Sequence, residues 1–388
     1  MNLKKTINKL HLWLGLSSGL VVFIVAVTGC IYAFQAEIKD LTYSFMSVEP
    51  QEKAVLPPSE ISGIAQEAFP EGHLHAILYP TEEKSAQAIF FSYGEGHDHY
   101  QTAYINPYTG ELLKLKDEYA DFFRIVLDGH FYLWLPPEIG QPVVASFTLI
   151  FLFMVISGLI LWWPKKKKNL KQSLKIKWSA RWRRKNYDLH QVLGFYAMTF
   201  ALVFAITGLV WGFLWFRDGV YFVASGGEKF VEYYDPVSDS TQTYQGEIPA
   251  LDAVWMKMNA EYPNADWIEV HPPGFEGAAI AANANPDAST YWKADYRYFD
   301  QNTLEELPVD HFYNRFEEAT VAEKIMRMNY DVHVGAIAGL PGKILAFFLS
   351  AIIASLPVTG FLIWWGRRNK AKKEQVAQVK AKMVLTEA

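Results

Sequence analysis

Four long apolar runs punctuate the chain, and the stretches between them switch to the shorter periods of a soluble fold. The runs cover roughly Leu10–Phe34, Pro142–Trp163, His190–Phe216 and Ile344–Trp365, with no Asp, Glu, Lys or Arg inside those limits. A hydrocarbon core of ~30 Å is crossed by about 20 apolar residues in a helix, so each run predicts a membrane span. Between the first two runs, Ser59–Phe69 reads as a helix and Ala76–Tyr79, Ala88–Ser92 and Thr102–Ile105 as strands. The turn Asn106-Pro107-Tyr108-Thr109-Gly110 then leads into strand-like Glu111–Leu113. Between the last two runs, Leu251–Tyr262 reads as a helix and Trp267–His271 and Ala278–Ala282 as strands. Tyr296–Asp300 and Leu304–Leu307 look like a hairpin. The expected fold is an α+β membrane protein in which a helix on a small antiparallel sheet is made twice.

The halves are copies. An offset of 179 places Leu10, His11, Leu14, Gly15, Ala26, Thr28, Gly29 and Phe34 on identical residues in the third run. An offset of 203 places Arg124, Asp128 and His130 on Arg327, Asp331 and His333. Both following runs end in Gly-(x)3-Trp-Trp, at Gly158 and at Gly360. Each half contains two spans, so the repeat is parallel, and repeat interfaces in membrane proteins are common places for a functional site.

Charge fixes the expected orientation. Residues 1–9 carry three Lys and no acid, residues 164–189 eleven bases against Asp188, and residues 366–388 seven bases against two acids. Residues 36–140 hold six bases and seventeen acids, and residues 217–340 eight and twenty-one. The positive-inside rule therefore puts both termini and the Lys165–Lys168 loop in the cytoplasm and the two acidic segments outside. The lysine run reads as a topology and anionic-lipid anchor, not a nucleic-acid site. With Cys30 alone there is no intramolecular disulfide. Val27-Thr28-Gly29-Cys30 resembles a lipoprotein cleavage box, but Thr-Gly recurs at Thr207-Gly208, so the first span reads as retained.

Four histidines stand at the ends of these runs: His11 and His190 open two of them, and His130 and His333 precede the other two. An ionisable side chain at membrane depth is a functional signal. Imidazole is an axial ligand that suits electron-transfer haem, and without a C-x-x-C-H motif the haem would be of b type. Gly15 and Gly19 share the helical face of His11, and Gly194, Met198 and Ala201 that of His190, leaving room for a flat ring. His11 and His190 belong to the cytoplasmic level and His130 and His333 to the external level, separated by roughly 35 Å at ~1.5 Å per residue. The reading is thus two bis-His haems, with His11 and His190 as axial ligands inside and His130 and His333 outside. Arg124 and Arg327 fit haem propionates. Asp128 and Asp331 fit acceptors for a ligand's imidazole N–H. A divalent metal on the same pairs would ordinarily add carboxylates or Cys. His73-x-His75 and Glu95-x-His97-Asp98-His99 read as exposed polar loops before metal sites, and Trp134 and Trp211 as interfacial aromatics.

The chain resembles the PepSY-associated transmembrane family. The resemblance rests on the helix–strand–strand modules, the spans that begin with His and end in Trp-Trp plus basic residues, and the duplication. That family includes iron-regulated bacterial inner-membrane reductases of ferric siderophores. The resemblance implies two PepSY-like periplasmic domains, haem b between the spans, and electron delivery to an external ferric chelate with release of Fe(II). It carries over only to His11, His130, His190 and His333. The division is a span in 1–35, a periplasmic domain in 36–140, a span in 141–164 and a basic loop in 165–189. A span in 190–216, a periplasmic domain in 217–341, a span in 342–366 and a tail in 367–388 complete it. No G-x-G-x-x-G or P-loop is present, so the electron donor is expected to be quinol or a cytoplasmic reductase. The alternative is a non-enzymatic sensor, assembly factor or peptide-binding membrane protein. A transporter is disfavoured because no span carries an internal charge.

Overall fold

A computed structural model describes residues 3–92, 99–164 and 170–386. They form two compact units: a helical one drawn from 1–33, 126–216 and 341–388, and a sheet-containing one drawn from 34–125 and 217–340.

The helical unit contains four helices long and apolar enough to cross a membrane. They are α1 (Leu3–Tyr32), α5 (Pro137–Trp162), α7 (Trp182–Gly212) and α11 (Gly339–Thr386). The short helix α6 (Leu170–Ser173) precedes α7. Leu3 and Trp182 are repeat equivalents at the 179-residue offset, so α1 and α7 start at the same point of the repeat. His11 and His190 therefore lie two turns inside their helices and do not open them. Ala197 and Ala201, spaced by four on α7, form a small-residue face buried with Ala26 of α1 and Leu349, Ile353 and Ala354 of α11. Small side chains let helices approach closely where lipid removes the hydrophobic drive for association. The third span stops at Gly212, short of Phe216. Phe213 is extended (φ −140°, ψ 125°), and Leu214–Ser225 form a separate helix, α8.

The segments bearing the second histidine pair are helices of their own. α4 (Phe122–Tyr132) ends at Leu133 and Trp134, both left-handed (φ 54° and 59°), and Pro136-Pro137 then starts α5. α10 (Val321–Val334) begins with a reciprocal capping box between Thr320 and Glu323 and stops at Gly335, whose φ of 81° favours glycine. The break between α10 and α11 falls at Gly335–Gly339. Pro341 sits in the first turn of α11, where its missing N–H is harmless.

The sheet unit departs from two separate modules. α2 (Gln35–Thr42) opens it, and α3 (Pro58–Ala68) and α9 (Ala250–Glu261) are the module helices. Strands β1 (Leu74–Tyr79), β2 (Ala86–Ser92), β3 (His99–Ile105) and β4 (Leu112–Asp117) come from the first half. β5 (Trp267–His271), β6 (Ile280–Asn285), β7 (Asp295–Phe299) and β8 (Glu306–Leu307) come from the second. They make one eight-stranded antiparallel sheet in the order β4-β3-β2-β1-β5-β6-β7-β8. The join is β1 against β5, with Ile77 opposite Val270 and Tyr79 opposite Ile268. Each four-stranded module alone would leave that strand as an exposed edge, and pairing the two edges removes both.

Helices α3 and α9 cover one face of the sheet. Their shared core includes Ile61, Ala65, Ile77, Phe90, Ile105, Val254, Met258, Val270 and Phe299. Asp252 of α9 ties them by accepting from Ser59 N (2.8 Å) and Ser59 Oγ (2.6 Å), which satisfies an otherwise orphaned N–H in the first turn of α3.

Candidate haem ligands

His11 and His190 are mounted identically across the repeat. His11 Nδ1 lies 2.8 Å from Ser157 Oγ on α5, and that hydroxyl donates to Met154 O at 3.0 Å. With its proton committed there, Ser157 Oγ accepts, so His11 Nδ1–H is the donor and Nε2 carries the lone pair. His190 Nδ1 lies 2.9 Å from Thr359 Oγ1 on α11, which donates to Ser355 O (2.9 Å) and Leu356 O (3.1 Å). The same reasoning leaves the His190 lone pair on Nε2. Neither Nε2 has a hydrogen-bond partner among the described residues.

The residue after each hydroxyl is a glycine. A Cβ built on Gly158 would stand 3.5 Å from His11 Cε1, and one on Gly360 would stand 3.3 Å from His190 Cε1. The first is an ordinary contact and the second requires the ring to give way. By contrast, the glycines on the histidines' own helices face neighbouring side chains: Gly15 meets Met154, Gly19 Pro357 and Gly194 Leu356. Those glycines serve helix packing.

His130, at the end of α4, enters the helical unit and meets α1. Its Nδ1 donates to Val25 O at 2.9 Å and also lies 3.3 Å from Thr28 Oγ1. A Cβ on Gly29 would be 3.2 Å from His130 Cε1, repeating the ring-on-glycine arrangement. Because His11 and Val25 share α1, their levels differ by fourteen residues, about 21 Å at ~1.5 Å per residue. That is well short of the ~35 Å expected from span length, because His130 descends beside α1 instead of stopping at its end. Trp211 packs near Phe131, with ring centroids 6.2 Å apart. His333 lies in the last turn of α10, in the sheet unit.

Of the matched Arg and Asp, those of the second half, Arg327 and Asp331, have other occupations. Arg327 is buried, and four of its N–H donors go to Phe312 O (2.7 Å), Ala294 O (3.2 Å), Asn314 O (2.7 Å) and Asn314 Oδ1 (2.7 Å). It ties the segment after β8 to the residue that precedes β7 and is not presented to a propionate. Asp331 is fully buried and accepts the backbone N–H groups of Tyr291 (3.0 Å) and Trp292 (2.9 Å). Arg124 lies over the Tyr119 ring at 5.3 Å. The Asp128 backbone carbonyl accepts from Trp134 N at 3.3 Å, closing the turn after α4.

Ser157, Thr359, Gly158, Gly360, Gly29 and the Val25 carbonyl were not singled out from sequence for these roles. The signal was present as Ser-Gly and Thr-Gly at matched places in the two Trp-Trp spans. Glu95, His97 and Asp98, like Lys165–Lys168, lie outside the described residues. Among the described residues no three His, Cys, Asp or Glu side chains are grouped to hold a metal ion. Three imidazoles, each anchored through Nδ1 and laid on a glycine, fit the donor chemistry of axial haem ligation.

No curated protein matches this chain. The sequence profile described as the PepSY-associated TM region matches residues 8–367. With nearly its whole length covered by that match, the chain belongs to the PepSY-associated transmembrane family.

Proposed function

We propose that this membrane protein is a two-haem-b electron conduit that reduces an external ferric chelate of the siderophore type and releases Fe(II). The observation that carries the reading is the mounting of His11 and His190. Two repeat-related spans present imidazoles with Nδ1–H tied to a hydroxyl and Nε2 unengaged. When bound, haem b supplies reversible one-electron iron chemistry. His11 and His190 would hold the inner group. His130 and, through the repeat in sequence, His333 are assigned to the outer one.

The hydroxyls of Ser157 and Thr359 fix the ligand tautomer and ring plane, a hydrogen bond that also raises ligand basicity. Electrons would enter at the basic, cytoplasmic ends of the spans from quinol or a reductase, since the chain has no nucleotide fingerprint of its own. The orientation assigned is that of a bacterial inner-membrane protein with both termini in the cytoplasm and its sheet unit in the periplasm.

The test is an absorption spectrum of purified protein, followed by mixing the dithionite-reduced form with a ferric chelate and an Fe(II) trap. A Soret band with split α/β bands, reoxidised as the trap colours, is the expected result. Protein made with ample haem that shows no Soret band would overturn the reading and favour a non-enzymatic periplasmic sensor or assembly factor.

A further inference from the structure

The connection between α4 and α5 is strained where the matched connection in the second half is not. Leu133 (φ 54°) and Trp134 (φ 59°) are consecutive left-handed residues that carry a Cβ, and each such residue is costly. At the 203-residue offset they correspond to Ala336 and Ile337, which lie in a short 3₁₀ helix flanked by Gly335 (φ 81°) and Gly339 (φ 63°). There, glycine takes both positive-φ positions at little cost. The first half forgoes that solution, so its turn must secure something that glycine would not.

What it secures is the placement of the Trp134 indole. The ring folds back over Gly129, where an added Cβ would overlap Cζ2 and Cε2 of Trp134. The matched residue in the second half is Val332, whose side chain would fill that space. The backbone N–H groups of Leu133 and Trp134 donate to Gly129 O (3.2 Å) and Asp128 O (3.3 Å), and that of Leu135 to Tyr132 O (3.0 Å). A second close approach locks the following arm, because a Cβ on Gly140, in the first turn of α5, would overlap the Tyr132 carbonyl. His130 stands between Gly129 and Phe131 in this clasped turn, with Nδ1 on Val25 O and its ring against Gly29.

Burial does not explain the arrangement. Trp134 remains 56% exposed, so its indole forgoes much of the apolar gain that would offset the strain. An interfacial belt does not explain it either, since a tryptophan at headgroup level needs neither a left-handed backbone nor a glycine beneath it. Strained backbone of this kind clusters where a structure holds a functional group in place.

We propose that Trp134 is a positioning residue for the outer haem. Seated on Gly129 by the left-handed turn, its indole fixes the last turn of α4 and so holds the His130 ring on Val25 O and Gly29. A ligand whose Nδ1–H stays on a carbonyl keeps one tautomer and one ring plane, and is the more basic for it. The inference rests on His130 as a haem ligand, but half of its test needs no haem.

The test uses full-length protein in detergent and the variants Trp134→Gly, Trp134→Phe and Gly129→Ala, with Trp215→Ala, another exposed tryptophan, as the control. In haem-loaded protein the outer haem is the one that His130→Ala removes. Trp134→Gly should raise its midpoint potential by about a tenfold change in ferric-to-ferrous preference, ~59 mV, because a looser His130 is a weaker base. Gly129→Ala should act in the same direction. Trp134→Phe keeps a ring over Gly129 and should restore most of the wild-type value. Thermal unfolding of Trp134→Gly should stay close to wild type, since glycine relieves the strain as the indole contact is lost. A merely structural indole would move stability and leave the potential alone. In haem-free protein with isotope-labelled histidine, read by NMR, the His130 Nδ1–H should exchange with water about tenfold faster in Trp134→Gly and at the wild-type rate in Trp215→Ala. Wild-type potential and exchange in Trp134→Gly, or the same shifts in Trp215→Ala, overturn the positioning role and leave the two-haem reading intact. Wild-type protein that takes up no haem, while its His130 exchange still depends on Trp134, keeps the positioning role and sinks the electron-transfer reading.

Discussion

His11 and His190 occupy equivalent places in the repeat and are held alike; Arg124 and Arg327 occupy equivalent places and are not. In the helical unit the two matched sites share an arrangement of atoms: imidazole Nδ1 to a hydroxyl whose proton is committed, and a ring against a glycine. In the sheet unit the two sets of four strands share order and helix placement, while matched charged residues differ in their contacts. Arg327 is buried among carbonyls, whereas Arg124 stacks on Tyr119. A ligand geometry tolerates little drift because metal ligation needs the lone pair on one defined nitrogen. A sheet tolerates a great deal, provided alternation keeps the core apolar.

The sharpest way to break this comparison is to remove the ligands. His11→Ala and His190→Ala should each abolish the inner haem and leave the outer one, so either variant loses about half of the haem b measured by pyridine haemochrome. Loss of all haem from one of them would mean a single shared site. Retention of all of it would remove both histidines from ligation.

The arginine pair should respond unequally. Arg327→Met strands the carbonyls of Ala294, Phe312 and Asn314 in a buried site and should destabilise the sheet unit by about 3–5 kcal/mol. Arg124→Met loses a cation–π contact and should cost about 1 kcal/mol. Thermal unfolding in detergent reads both. Equal effects would mean that the two guanidiniums do the same job after all.

A third difference is confined to the second half. Arg297 Nε and Nη2 donate to Glu306 at 3.0 and 2.6 Å, and Arg315 pairs with the same carboxylate. Burial pushes the Glu306 pKa up, but the two guanidiniums outweigh it and hold it at about 2 against an ordinary 4.5. A depressed carboxyl stabilises the fold above its unfolded pKa, and that stability is lost as pH falls from about 4.5 toward 2. Glu306→Gln should therefore cost about 2 kcal/mol at pH 7 and nearly nothing at pH 2. A stability difference that persists unchanged at pH 2 would show that the carboxylate's charge is not what matters.

How far each part could be read from the sequence follows the range of the interactions that make it. The spans were legible because apolar runs are local, and so were β5 and the helices that became α3 and α9. The stop at Gly212 was not, because Leu214-Trp215-Phe216 is as apolar as a span and only backbone geometry separates it. The single sheet was also hidden: β1 and β5 lie nearly two hundred residues apart, and either would serve as an edge strand. The four histidines could be found as ligand candidates. Their true level could not, since the descent of His130 to Val25 depends on where α4 ends. Arg327 and Asp331 looked like site residues because they recur near a ligand candidate, whereas their carbonyl and amide partners sit thirteen to forty residues away.

The smallest expected effect probes the mounting itself. Thr359→Val keeps the shape of the side chain at His190 and removes the oxygen that accepts its Nδ1–H, and Ser157→Ala does nearly the same at His11. Hydrogen-bonding partners of metal-bound histidines are commonly worth 10–100-fold in metal affinity, so each variant should weaken haem retention about tenfold and lower the basicity of its ligand. Thr359→Ser restores the acceptor and should restore both retention and the midpoint potential, while Gly158→Ala should be nearly silent because its Cβ would make an ordinary contact with His11. If the two hydroxyl variants shift the inner haem's potential in the same direction and Thr359→Ser reverses its share, the repeat has conserved a chemical function. If only Thr359→Val has an effect, the two halves share a shape at this site and the ligand that matters is His190.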